Sequence, residues 1–132
     1  MKTIDLEAEL SRLEKFDPSF IDDNKAPDFY SYIDTLIKER NVKRSELIKG
    51  LNLDRNYGYQ ILNGTRVPTK EIIIKIGLYL SLSIEDIQRL LKICGRECLY
   101  ARNMTDAKVL YSVYRKFTYK QAVAFIFEKD ND

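Results

Sequence analysis

At 132 residues, with 45% hydrophobic and 32% charged side chains, the chain can bury one core of ordinary size and is not composed like a disordered tail. The longest apolar-leaning run, Ile72 to Ile84, is broken by Lys75 and holds Ser81 and Ser83, and no apolar run follows Met1. A bilayer span and a signal peptide are therefore not expected, and a cytoplasmic protein that engages no membrane is.

The formal charge of +2 is unevenly spread. Residues 1–28 carry eight Asp/Glu against four Lys/Arg, whereas residues 43–75 carry seven Lys/Arg against three Asp/Glu. A basic middle beside an acidic arm suits a polyanionic partner, although ordinary solvated helix faces give the same count. The chain has no histidine, which removes the commonest metal ligand and the commonest general base. Cys94 and Cys98 stand in a C-x-x-x-C spacing that matches neither redox pairs nor zinc ligands, so reduced helix-end residues are expected. The expectation is a protein without metal or cofactor, and not an enzyme.

In chain order the pattern is helical throughout. Leu6, Leu10 and Leu13 mark an amphipathic helix over about 4–15, closed by Asp17-Pro18 and followed by a linker to Pro27. Asp28 is positioned to cap a helix over 28–40 whose inner residues are Phe29, Ile33, Leu36 and Ile37. Leu47, Ile48 and Leu51 predict a short helix over 44–50. Asp54 caps the next, over 55–62, with Tyr57, Ile61 and Leu62 inward and Gly64 at its end. Thr69 opens a helix over 69–80, and Ser83 precedes one over 84–94 that stops at Gly95. Thr105 is expected to cap a helix over 106–115, and the T-x-x-Q box at Thr118–Gln121 starts the last, over 119–128. No stretch alternates at period two, so the fold class is all-α. The organisation expected is an acidic helix and linker over 1–27, a helical domain over 28–95, and a C-terminal helical extension over 96–132 packed on it.

From Arg44-Ser45-Glu46-Leu47-Ile48 through Leu53-Asp54 to Ile61-Leu62-Asn63-Gly64-Thr65-Arg66-Val67-Pro68, the chain resembles the lambda-repressor-like (XRE-type) helix-turn-helix family over residues 29–95. The ending I-x-x-G-x-R-x-P and the succession of five short helices carry the resemblance. It implies a five-helix domain whose third helix enters the major groove of double-stranded DNA, in a transcriptional regulator that works as a homodimer on paired half-sites. The outward residues of that helix, Arg55, Asn56, Tyr59 and Gln60, are the candidate base contacts, since Arg pairs with guanine and Asn or Gln with adenine. Arg44, Ser45, Thr65, Arg66, Thr69 and Lys70 are the candidate phosphate contacts.

Three positions depart from the family pattern. Gly58 stands where a branched apolar residue is usual, Ile48 where alanine is usual, and Asn52 where glycine makes the turn. A large-for-small change facing a small-for-large change conserves core volume, so Ile48 is expected to fill the space above Gly58. Asparagine is the next best residue for a left-handed turn. The C-terminal aromatics Tyr111, Tyr114, Phe117, Tyr119, Phe125 and Phe127 are expected mostly as core between the last two helices and the helix over 84–94, the alternative being an interface of a two-fold dimer. The alternative to DNA binding is an adaptor or antitoxin-like module on the same scaffold, meeting a protein partner through the N-terminal helix or the C-terminal extension. The net charge of only +2 and the single basic residue of the third helix, Arg55, favour it.

Overall fold

The computed structural model describes Ala8 and residues 28–128, and among these the chain is all-helical, with seven helices and no strand. The expected 4–15 helix, Ala8 apart, and the linker after it lie outside the described residues. The helices are α1 (Phe29–Glu39), α2 (Arg44–Gly50), α3 (Arg55–Leu62), α4 (Lys70–Tyr79), α5 (Ile84–Ile93), α6 (Met104–Tyr114) and α7 (Tyr119–Phe127). No helix among the described residues is long and apolar enough to cross a membrane.

Each boundary has a local cause. Asp28, Asp54, Thr69, Ser83, Asn103 and Thr118 accept a hydrogen bond from the third amide of the helix they precede, and Thr118 with Gln121 completes the capping box. Sequence expectation errs once here. Asn103 rather than Thr105 caps α6, because its Oδ1 reaches the Asp106 amide at 3.0 Å, and the helix starts two residues earlier than expected. Helix α2 differs from the other six, since Lys43 precedes it and supplies no side-chain cap.

The C-terminal ends follow one rule. After α1 to α6 comes one residue at positive φ: Asn41, Asn52, Gly64, Ser81, Gly95 and Lys116. The amide of the next residue then reaches back five positions, as from Val42 to Ile37 O, Leu53 to Ile48 O and Leu82 to Gly77 O. This Schellman closure satisfies carbonyls that a helix end leaves open and turns the chain sharply. The expected roles of Asn52, Gly64 and Gly95 hold, with φ of 55°, 80° and 68°.

One core joins the elements. Ile33, Leu47, Ile61, Ile73, Ile87, Leu90 and Leu91 are 0–1% exposed, and they come from α1 through α5. Helix α3 packs on α2 and α1, α2 on α4, and α5 on α4 and α1. The α6–α7 hairpin attaches through α7, which packs on α4 rather than on α5 as the sequence suggested. Tyr79 and Tyr119 meet edge-on there, with ring centroids 5.4 Å apart. Segment 96–103 is fastened by Leu99, which exchanges two hydrogen bonds with the Gln88 side chain (2.7 and 3.1 Å), and by Arg96 Nε donating to Pro68 O. Of the aromatics expected as core, Tyr119, Phe117 and Phe127 are partly buried, but Tyr111, Tyr114 and Phe125 are exposed. Ala122 and Ile126 of α7 fill the contact instead, because they occupy the face turned to α4.

Helices α2 and α3 touch where Gly58 meets Ile48. A Cβ placed on Gly58 would lie 2.6 Å from Ile48 Cγ2 and 2.7 Å from Cγ1, well inside van der Waals contact. Ile48, 4% exposed, thus fills the space that a side chain at 58 would take. Gly58→Ala removes a helix-propensity penalty of about 1 kcal/mol but adds overpacking of about 1–3 kcal/mol. It is expected to lower the urea midpoint, and Ile48→Ala in the same chain to relieve the clash, so that the two changes together cost less than their sum. Stabilisation by Gly58→Ala alone would show that Ile48 does not occupy this space.

Candidate nucleic-acid interface

Helix α3 buries Gly58, Ile61 and Leu62, which lie on one side of its axis. At about 100° per residue, the opposite side runs in order through Arg55, Tyr59, Asn56, Gln60 and Tyr57. Arg55 and Asn56 are exposed, and Tyr57, Tyr59 and Gln60 are partly so. The four candidate base contacts therefore share one outward stripe. Tyr57, expected inward, is partly buried against the core and forms the far edge of the stripe.

Both edges of the stripe are built alike, as an arginine against a tyrosine ring. Arg55 lies over Tyr59, its Cζ 5.9 Å from the ring centroid, and Arg66 lies over Tyr57 at 5.8 Å. Such stacking holds a guanidinium in place while leaving its N–H groups free to donate. Arg66 reaches its place because the loop after α3 folds back, with the Thr65 and Arg66 amides both donating to Gln60 O at 2.9 and 3.1 Å. At the Arg55 edge α2 and α3 enclose an open cleft of about 460 Å³, lined by Ser45, Ile48, Lys49, Leu53, Arg55 and Tyr59. Among the described residues no carboxylate lies within ion-pair distance of Lys49, Arg55 or Arg66. Lys49, exposed beside Ser45, is a cation that motif matching passed over; its place one turn along α2 from Ser45 was the available signal.

The other candidates divide. Ser45, Thr65 and Thr69 are exposed, and the Thr69 hydroxyl is engaged in capping α4 at 3.2 Å from the Ile72 amide. Arg44 is held inside the fold. Its two terminal nitrogens donate to Asp34 Oδ1 and Asn63 Oδ1, each at 3.0 Å, and its guanidinium covers the Tyr30 ring at 5.1 Å. It thus ties α1, α2 and the end of α3 together. Lys70 donates to Asp106 Oδ2 at 3.1 Å, and the same oxygen accepts the Tyr100 amide at 3.0 Å. Asp106 is buried, so this pair fastens the start of α6 to α4. Arg44 and Lys70 are therefore neutralised by partners within the chain, whereas Lys49, Arg55 and Arg66 are not.

Cys94 and Cys98 are free thiols, and partial burial pushes the Cys94 thiol above its ordinary value. Among the described residues no group of His, Cys, Asp or Glu is arranged to hold a metal ion. Comparisons with protein-family models, with curated proteins and with solved structures each give no match.

Asp34 sits below the ordinary carboxylate range, first because Lys38 hydrogen-bonds to it and then because Arg44 does. A carboxylate depressed in the folded state contributes stability above its unfolded pKa and loses it as pH falls through the lower folded value. The stability difference between the protein and an Asp34→Asn variant is therefore expected to be constant near neutrality and to close below about pH 4. Urea denaturation at stepped pH measures it, and a difference that widens in acid would contradict the assignment.

Proposed function

We propose that α2 and α3 form the helix-turn-helix of a sequence-specific DNA-binding regulator, within a five-helix domain of lambda-repressor-like type running from α1 to α5. The observation that carries this reading is the outward stripe of α3. It sets two amide side chains, Asn56 and Gln60, between two arginine–tyrosine pairs, and neither arginine has a carboxylate partner among the described residues. In this reading Arg55, Asn56, Tyr59 and Gln60 face base edges, where bidentate donors and acceptors discriminate base pairs. Ser45, Lys49, Thr65, Arg66 and Thr69 border the stripe and face phosphates, which position the protein without reading sequence. The uncapped first turn of α2 leaves amides beside Ser45 for the same use. Arg44 and Lys70 act one step back, holding α2 and α4 in register. Two copies on a two-fold axis would address half-sites about one helical turn of DNA apart.

A protein-binding adaptor on the same scaffold is the second reading, and the neutralisation of Arg44 and Lys70 by Asp34 and Asp106 favours it. Half of the cations that the motif would offer to a polyanion are already matched. Duplex-DNA binding followed by fluorescence anisotropy over a salt series separates the two. On a selected site Arg55→Ala or Gln60→Ala is expected to cost about 1–3 kcal/mol, and Arg66→Ala to weaken binding to all sequences and reduce the salt slope by about one. Undetectable binding to any duplex at about 50 mM salt would overturn the regulator reading in favour of the adaptor.

A further inference from the structure

The outer face of α6 has the pattern of a helix-packing surface. Met104, Ala107, Tyr111 and Tyr114 recur at i, i+3, i+7 and i+10, the spacing by which one helix packs along another. Met104 and Tyr114 are each 73% exposed and Tyr111 is 49% exposed. Phe117 and Phe125 extend the apolar surface to one side, with ring centroids 5.7 Å from each other and each 5.8 Å from Tyr111. Isolated exposed apolar residues are normal, but a contiguous seam of aromatic rings on a helix is the mark of an interaction surface.

The charge around this seam narrows what covers it. Lys108 lies over the Phe125 ring at 5.3 Å, and Arg115 and Lys116 stand exposed at the end of α6. From Ala107 to Phe127 the sequence holds four Lys/Arg and no Asp/Glu, and Asp106 is buried against Lys70, so the accessible charges of α6, α7 and the turn between them are cationic. Two copies of this face across a two-fold axis would set like charges against each other, which disfavours self-pairing. The fitting occupant is an amphipathic helix with an apolar stripe and acidic flanks.

The chain contains such a segment. Between Ile4 and Lys15, Leu6, Leu10 and Leu13 recur in the sequence at i, i+4 and i+7, the spacing of an amphipathic helix, and Asp5, Glu7, Glu9 and Glu14 supply the flanking charge. Residues 16–27 separate it from α1, and twelve extended residues span about 40 Å, more than enough to cross a domain of about a hundred residues with a radius of gyration of about 13 Å. We propose that residues 4–15 dock in cis on the Met104–Tyr111–Tyr114 face of α6, leucines against the aromatic seam and glutamates against Lys108, Arg115 and Lys116. This goes beyond the DNA reading and holds whether or not α3 meets DNA, because the face lies on a different helix from the α3 stripe.

Carbodiimide coupling of carboxylates to lysines in the full chain, read by mass spectrometry, tests it. The expected links join Glu7, Glu9 or Glu14 to Lys108 or Lys116 within a single chain. The paired variant Met104→Ala/Tyr114→Ala leaves both lysines in place and alters only exposed side chains, and Leu10→Ala/Leu13→Ala alters the other partner. Each is expected to reduce those links about fivefold or more, with the thermal transition of the first retained, since the contacts removed are worth on the order of a factor of five. Links mainly to Lys43 or Lys49, links found only in a covalent dimer, or links indifferent to both variants would each overturn the proposal. The first would place the segment over the candidate DNA face, and the second would make the occupant a second copy.

Discussion

The position of α3 depends on the absence of a side chain at residue 58. Helix α3 is only eight residues long, and three of them, Gly58, Ile61 and Leu62, face inward. A helix that short has little stability of its own and takes its place from packing. Ile48 projects from α2 into the space over Gly58, so the two helices approach more closely than side chains on both would allow. That approach sets which residues of α3 face outward and how the open cleft beside Ser45 and Arg55 is formed. Glycine weakens the helix locally, and the packing of Ile48 compensates.

Charge in this protein serves two ends that sequence position does not distinguish. Arg44 and Arg55 both stand at the first residue of a helix, yet the first is bonded to Asp34 and Asn63 while the second lies over the Tyr59 ring with no ion pair among the described residues. Lys70 and Arg66 are four residues apart and divide in the same way. The cations bonded within the chain join elements: Arg44 links α1, α2 and the end of α3, and Lys70 links α4 to the start of α6. Lys49, Arg55 and Arg66 border the outward stripe of α3 instead. A count of basic residues over 43–75 therefore overstates the charge offered to a partner, and the lower effective charge keeps the adaptor reading in play beside the DNA reading.

The C-terminal hairpin shows the same division among apolar residues. Tyr119 and Phe127 of α7 turn toward α4, where they meet Tyr79 and Lys75, while Tyr111 and Tyr114 of α6 turn away. Aromatic content alone gave both helices equal claim on the core. Only one face of a two-helix hairpin can lie against the domain; here it is the face that buries Val109, Ala122 and Ile126, and the pair of Lys70 with the buried Asp106 fastens its start.

The sequence by itself determined the helices and their ends, because these are set within a few residues: a polar cap accepting the third amide, an apolar period near 3.6, and a residue tolerating positive φ. Asp54, Gly64 and the Thr118–Gln121 box were legible for that reason, and so was the complementary pair Gly58 and Ile48. Ser81 and Lys116 take the same left-handed turn without the residue type that advertises it, so their role was not legible, whereas Asn41 has that residue type and was passed over. Asn103 was passed over as a cap because Thr105 stood equally well in the pattern. The partners of Arg44 and Lys70, the pairing of Arg66 with the half-buried Tyr57 and the docking of α7 on α4 were decided by the tertiary structure. Asp34 and Asn63 lie 10 and 19 residues from Arg44, and Asp106 lies 36 from Lys70. Nothing local marks such pairs, and only the packed core brings them within hydrogen-bonding distance.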